Sequence, residues 1–420
     1  MSSMFRSLGE RNYRIWFAGS LTSNVGTWMQ RTAQAWIVLT ELTDNDATAL
    51  GVVMALQFGP QLLLAPDAGG IADRLSKRKV LIWTQAVMAV LALALGAIVT
   101  AGVAELWHVY VFALLLGCAA SLDAPARQAF VSEVVGLKLL SNAVALNSAS
   151  FNGARMLGPA VAGVLTVLIG AGPVILVNAL TYLATIAALL AMRSSELLPS
   201  PPSKRGRGQI REGIRYVAKR PDIVAVLVLV FLLGTFGLNF PIYTATMTTM
   251  EFQGGADSFG LLSSILAIGS LGGALLAAKR ERARFRVLLT SSAFFALSCL
   301  AAALAPTFWI FAVTLIPIGF TSLSAITTAN ALVQGSVEPS MRGRVLSLYM
   351  AIFLGGTPIG APVMGWIVEL FGPRAALLVG GASGAIGALL AAWILHRAGA
   401  FRWRDRPWRN SDDPRADEPL

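Results

Sequence analysis

Twelve apolar stretches, each about as long as a membrane-spanning helix, leave this chain few folds to choose from. They run at roughly 12–40, 50–72, 79–101, 106–125, 142–168, 172–192, 222–249, 259–278, 286–305, 308–333, 345–370 and 374–396. In hydrocarbon every backbone polar group must be satisfied inside its own segment, so stretches of this length become helices. Composition agrees, with 55% of the 420 residues hydrophobic, 13% charged and a mean hydropathy of +0.67. The chain reads as an all-α, multi-pass membrane protein.

The loop from Gly69 to Lys79, GGIADRLSKRK, orients the set. Short loops rich in Lys and Arg stay cytoplasmic. With this loop inside, counting spans puts both termini inside and all but three of the 33 Lys and Arg residues on the same face. The exceptions are Arg31, Arg155 and Arg374, whereas the opposite loops carry Glu41, Asp44, Asp46, Glu105, Glu251 and Asp257. A missed or extra helix would scramble that bias. The net charge of +11 is therefore read as topology, and no nucleic-acid partner is expected. The run after Arg6, Arg11 and Arg14 is too long for a signal peptide, contains Asn24, Gln30 and Arg31, and lacks a small-residue cleavage site. It reads as a retained first span.

Residues 193–221 divide the chain. Pro199, Pro201 and Pro202 lie among serines and mark a linker, and Gln209 to Arg220 follows with Ile210, Ile214 and Val217 at helical spacing opposite Arg211, Arg215 and Lys219. Such a helix either lies on the inner leaflet or is a solvated linker. Shifting the sequence by 202 residues aligns Ala129 with Ala331, Val131 with Val333, Val135 with Val337, Leu146 with Leu348, Gly158 with Gly360, Val161 with Val363, Gly163 with Gly365 and Gly170 with Gly372, without a gap. This repeat predicts two pseudo-symmetric six-helix bundles, 1–192 and 222–396, facing one another across a central cavity. Residues 397–420, basic and then acidic with three prolines, read as a disordered cytoplasmic tail.

Twelve spans in two halves with a basic loop after the second resemble the major facilitator superfamily over nearly the whole chain. That family's loop runs Gly, three residues, Asp, Arg, one residue, Gly, one residue and two basic residues. Gly69, Asp73, Arg74, Arg78 and Lys79 match it, and Ser76 stands at the second Gly position. The resemblance implies that Asp73 and the basic residues join the halves on the cytoplasmic side when the cavity opens outward. A carboxylate there can cap a helix N-terminus or pair with Arg127.

A narrower likeness covers Asp123-Ala124-Pro125-Ala126-Arg127-Gln128, Asn142 to Asn147, and Arg155-Met156-Leu157-Gly158-Pro159, which is similar to the enterobactin-exporter-like branch, the transmembrane secretion effectors. Within the superfamily a Gly-Pro in the fifth span marks export antiporters. Gly158, Pro159 and Gly163 match that signature, with Ala162 replacing one of its glycines. The resemblance implies a monomeric secondary transporter of the bacterial inner membrane that exports a small organic molecule (a siderophore, secondary metabolite or drug) by alternating access, in exchange for protons. An uptake permease is the alternative.

Arg155 is the foremost candidate site residue. Counting from Asn142 at about 1.5 Å per residue puts it roughly 20 Å deep, near the midplane. Ser148 and Asn152 share its helix face. Pro159 cannot donate to the Arg155 carbonyl, so a kink is expected beside the charge. Arg155 either binds substrate, favouring anionic or hydrogen-bonding molecules, or is tied to carbonyls as a structural residue. Arg31, with Asn24, Trp28 and Gln34 nearby on the first span, either joins the cavity or snorkels. Asp123 either titrates during transport or simply pairs with Arg127. Spans seven to twelve are expected to supply an apolar wall, and their Phe236, Phe240, Tyr243 and Phe320 either pack helices together or line the cavity.

Cys118 and Cys299 sit in separate apolar runs, and His108 and His396 lie at segment ends without a second ligand, so no metal or cofactor is expected. No catalytic polar cluster and no phosphate-cradling Gly-rich loop with a Lys occurs. A membrane enzyme, a receptor and a primary pump are thereby disfavoured. The partners expected are the substrate, protons and the bilayer.

Overall fold

The computed structural model describes residues 3–64, 75–198, 209–278, 280, 283–338 and 341–399. Gly69, Asp73 and Arg74 of the basic loop, the linker prolines Pro199, Pro201 and Pro202, and the tail beyond 399 lie outside the described residues. The first half holds α1 (Arg11–Ile37), α2 (Ala47–Leu63), α3 (Lys77–Thr100), α4 (Leu106–Gly136), α5 (Leu139–Ile169) and α6 (Ala171–Ala191). An amphipathic helix α7 (Gln209–Ala218) leads to α8 (Pro221–Glu251), α9 (Ala256–Ala278), α10 (Phe285–Ala303), α11 (Phe308–Ser336), α12 (Arg342–Phe371) and α13 (Pro373–Arg397). Among the described residues no strand occurs, and ten helices are long and apolar enough to cross a membrane. Apolar α2 has 17 described residues, and α1 has 27 but mixes polar side chains into its length.

The repeat read from the sequence is visible in the backbone. Gly170, which precedes α6, has φ 85° and ψ 161°, and Gly372, which precedes α13, has φ 82° and ψ 166°. Side chains avoid that region, so each turn depends on glycine. The same correspondence builds the interface between halves. A Cβ on Gly163 of α5 would lie 2.8 Å from the Ala256 carbonyl oxygen at the start of α9, and one on Gly365 of α12 would lie 2.2 Å from the Ala47 carbonyl oxygen at the start of α2. Glu369 of α12 also accepts a 2.9 Å hydrogen bond from the Thr48 amide. The halves are thus packed closely at the end that carries the acidic loops.

At the opposite, basic end the helices run past the apolar stretches. The apolar stretches at roughly 106–125 and 142–168 leave residues 126–141 between them, and there α4 and α5 both continue as helix and meet at a sharp turn on Gly136 (φ 66°, ψ 177°). The extensions are amphipathic. Phe130, Val131 and Val134 bury themselves with Tyr13 and Trp16, and Glu133 pairs with Lys77 at 3.0 Å. The start of α1 is tied down here too, through reciprocal 3.0 Å bonds between Asn12 and the Arg193 backbone.

The expected helix at 209–220 forms as α7 and rests on the second half, where Glu212 meets Arg344 at 3.4 Å and Val217 is buried. Ile214 stays exposed, so its apolar stripe is divided between protein and surroundings. Just beyond, Arg220 makes paired bonds of 2.9 and 2.7 Å to Asp222, which hold its guanidinium above its ordinary pKa.

Helix α8 is broken midway. A wider π turn at Leu233–Gly237 is followed by two non-helical residues, and the chain restarts at Phe240–Thr246. Pro241 explains the break, since it lacks an N–H and its ring collides with the carbonyl four residues back. Side chains satisfy the freed backbone, with Asn239 donating to the Thr235 carbonyl at 2.7 Å and the Tyr243 hydroxyl donating to the Phe236 carbonyl.

Candidate functional site

Between the halves lies a cavity of about 170 Å³, lined by α1, α2 and α5 from one side and by α8, α9 and α12 from the other. The α8 break delivers Leu238, Phe240, Pro241 and Thr244 to it. The first half supplies Trp28, Arg31, Gln57, Phe58 and Arg155 among others. The two sides are unlike, because the second contributes rings, apolar chains and the hydroxyls of Thr244, Ser263, Ser270 and Thr357, while both charges come from the first.

The placement of Arg155 starts from a glycine. A Cβ on Gly158 would sit 2.5 Å from that of Trp28, so only glycine lets α5 approach α1 here. One turn earlier on α5, the Arg155 guanidinium therefore comes to lie over the Trp28 ring, 5.5 Å from its centroid. Arg31 lies over the same ring at 5.0 Å and over Phe58 at 5.0 Å. Phe151 holds the indole edge-on, with centroids 5.9 Å apart. Pro159 lines the cavity beside them, and α5 stays helical through it.

Of the three arginines away from the basic face, Arg374 is accounted for by Glu251 at 2.9 Å and the Ala303 carbonyl at 2.7 Å. Arg31 and Arg155 have no carboxylate partner among the described residues, and no acid is among the residues lining the cavity. A charged arginine at the centre of a span costs at least ~2.5 to 3.5 kcal/mol. A cation–π contact returns only about 0.5 to 2 kcal/mol. The rings therefore offset part of the cost and leave two guanidiniums with unused hydrogen-bonding capacity facing one space.

The other candidates divide. Gln34 is buried behind the cavity wall and accepts from Gln57 at 3.2 Å, so it orients a lining residue without lining the cavity itself. Asn24 reaches Ser150 on α5 at 3.5 Å, Asn152 bonds back to the Ser148 carbonyl at 2.8 Å, and Ser148 is exposed. None of these three lines the cavity. The face shared by Ser148, Asn152 and Arg155 is real as helix geometry, but only Arg155 reaches the cavity.

Asp123 is buried in a network rather than in the cavity. It accepts from Thr84 and Gln85 of α3, both at 2.8 Å, and pairs with Arg127 at 3.0 Å. Arg127 continues to Ser20 of α1 at 2.8 Å and lies over Trp16, and Gln85 accepts from Ser23 of α1 at 3.3 Å. This cluster fastens α1, the helix that carries Trp28 and Arg31, to α3 and α4. Of the basic loop, Arg78 caps the end of α6 through the Leu189 carbonyl at 2.9 Å and the Ser194 hydroxyl, and Lys79 is exposed. In this arrangement Arg78 binds within its own half.

Sequence reasoning singles out Arg155 and Arg31, with Trp28 near Arg31, but misses that both arginines share that indole, and it names neither Phe58 nor Gln57. The Asn239-Phe240-Pro241 interruption is the signal available for the α8 wall. Among the described residues no cluster of His, Cys, Asp or Glu could hold a metal ion.

Residues 2–412 match the family model of transmembrane secretion effectors. The staphyloferrin A transporter of Staphylococcus aureus is 26% identical over 369 residues, covering 86% of this chain and 90% of that protein. The enterobactin exporter EntS of Escherichia coli is 24% identical over 351 residues, covering 81% and 82%. The solved D-xylose-proton symporter superposes with a TM-score of 0.71 at 14% identity, covering 93% of this chain and 97% of its own. The family and these relatives are membrane transporters and not enzymes, and the fold is theirs. The chain belongs to the transmembrane secretion effectors of the major facilitator superfamily.

Proposed function

We propose that this protein is a secondary transporter of the bacterial inner membrane, with both termini cytoplasmic, that exports a small organic molecule by alternating access of its two halves. The observation that carries the reading is the cavity between the halves, in which Arg31 and Arg155 meet over Trp28. A site bordered by both halves changes its access when they rock against one another. Close packing at the acidic end fits a state turned toward the basic face. The staphyloferrin A transporter and the enterobactin exporter among the relatives favour a siderophore or related secondary metabolite as cargo, with amphipathic drugs as the competing class. The Gly158-Pro159 signature supports export over uptake.

Proton antiport is part of the same proposal. Among the described residues no acid lines the cavity, and in this reading the coupling group is Asp123. Its protonation weakens the pair with Arg127 and hence the hold on α1 through Ser20 and Ser23. Movement of α1 then shifts Trp28 and Arg31. Everted vesicles energised to an acidic interior test this: siderophores, organic anions and cationic drugs are added singly while proton release is followed. Release that requires the protein and fades in Asp123→Asn supports proton-coupled export. Accumulation without release removes the antiport part, and substrate leaving the vesicles against its gradient would favour an uptake permease.

A further inference from the structure

Resting on the reading of this cavity as the transport site, we infer that its substrate is an organic dianion, with one acidic group held by Arg31 and the other by Arg155. Both guanidinium carbons lie within 5.5 Å of the Trp28 ring centroid, so one modest molecule reaches both. Neither arginine has a carboxylate partner among the described residues, and none of the lining residues is acidic. A lysine could shed its proton when enclosed, but arginine stays charged, so the compensating charge must arrive with the ligand. A monoanion leaves one guanidinium uncompensated. A cation adds a third like charge.

The shared chemistry of the two acidic groups is that of planar oxygen pairs, carboxylates or ionised catechols, which match the guanidinium fork with two hydrogen bonds each. Among the other lining residues the rings of Phe240 and Phe259 favour a flat or apolar carbon frame. Gln57, held by Gln34, and the hydroxyls of Thr244 and Ser263 complete the wall for polar substituents. One consequence concerns the transport cycle. Closing the empty cavity confines two uncompensated charges, whereas closing it around a dianion does not. The loaded carrier therefore reorients faster than the empty one, and substrate on the far side accelerates flux.

The test uses the full chain in lipid nanodiscs and proteoliposomes with four probes: isophthalate, a catechol-bearing compound with two ionised rings, benzoate, and tetraphenylphosphonium. Calorimetric titration should show isophthalate or the bis-catechol binding at least about tenfold more tightly than benzoate, as expected for one extra charge-assisted pair. Which of the two binds better identifies the oxygen chemistry. Arg31→Gln and Arg155→Gln should each reduce dianion binding to the benzoate level of the wild type, and Arg31→Lys, which keeps the charge, should retain more of it than Arg31→Gln. Should a Gln variant fail to fold, the selectivity of the wild type alone decides. Preference for tetraphenylphosphonium, or no discrimination between isophthalate or the bis-catechol and benzoate, overturns the assignment. If the protein carries the cation and no dianion, the transporter reading stands and the dianion falls. If dianions bind in a two-arginine manner and no probe crosses, the dianion stands and transport falls.

Discussion

Arg31 on α1 and Arg155 on α5 converge on a single indole, that of Trp28, at 5.0 and 5.5 Å. The sequence puts them 124 positions apart, and only the close approach allowed by Gly158 brings them together. The consequences of that meeting can each be measured.

Replacing Trp28 by leucine keeps an apolar side chain but removes the face that both guanidiniums occupy. Transport should fall about tenfold, in line with the ~0.5 to 2 kcal/mol that a cation–π interaction contributes at each arginine. Insertion and yield should stay near the wild type, as checked by flux per protein in reconstituted vesicles.

Asp123→Ala leaves the half-buried Arg127 without its carboxylate and takes an acceptor from Thr84 and Gln85. The side chains of the pair are 9% and 19% exposed, so solvent replaces little of what the carboxylate supplied. Breaking such a pair costs ~3 kcal/mol or more, and thermal unfolding in detergent should show a clear drop. Asp123→Asn, whose amide oxygen still accepts, should unfold much closer to the wild type. The double change Asp123→Leu with Arg127→Leu should recover part of the stability.

The general plan of this fold is legible because lipid makes it so. Long apolar runs and the sidedness of Lys and Arg follow from the bilayer itself, and a 202-residue repeat survives as paired glycines such as Gly170 and Gly372. The ends of α4 and α5 escape a hydropathy reading because they leave the hydrocarbon and pack on Tyr13 and Trp16, neighbours that hydropathy does not register. In the site, Arg155 stands out as a charge at the wrong depth. Its partnership with Arg31 does not, since it depends on how closely two helices cross. The second-half wall is hidden for another reason: on helices apolar all round, residues facing lipid and residues facing a cavity look alike.

Gly365→Val places side-chain atoms where α12 meets the start of α2, against the Ala47 carbonyl. The halves should no longer close at the acidic end. With Cys118 and Cys299 replaced by alanine and Ser263→Cys as reporter in the cavity, an impermeant maleimide added from the acidic side should label the Gly365→Val variant faster than its parent. Equal labelling would mean that this packing does not seal the cavity.

Gly170→Ala and Gly372→Ala put a side chain into backbone angles that glycine alone tolerates. Each should lower stability by about 1 to 3 kcal/mol. The two effects should agree closely, since the turns are equivalent in the repeat, and thermal unfolding of the separate variants measures both.

The most direct measurement is accumulation of a siderophore in everted membrane vesicles, compared for the wild type, Arg155→Ala and Arg31→Ala at matched amounts of inserted protein. The account predicts accumulation that requires the protein and is abolished in Arg155→Ala, with Arg31→Ala reduced at least about tenfold, as for removal of a charge-assisted hydrogen bond. Normal transport by either variant, or wild-type vesicles that accumulate no more than empty ones, would contradict it.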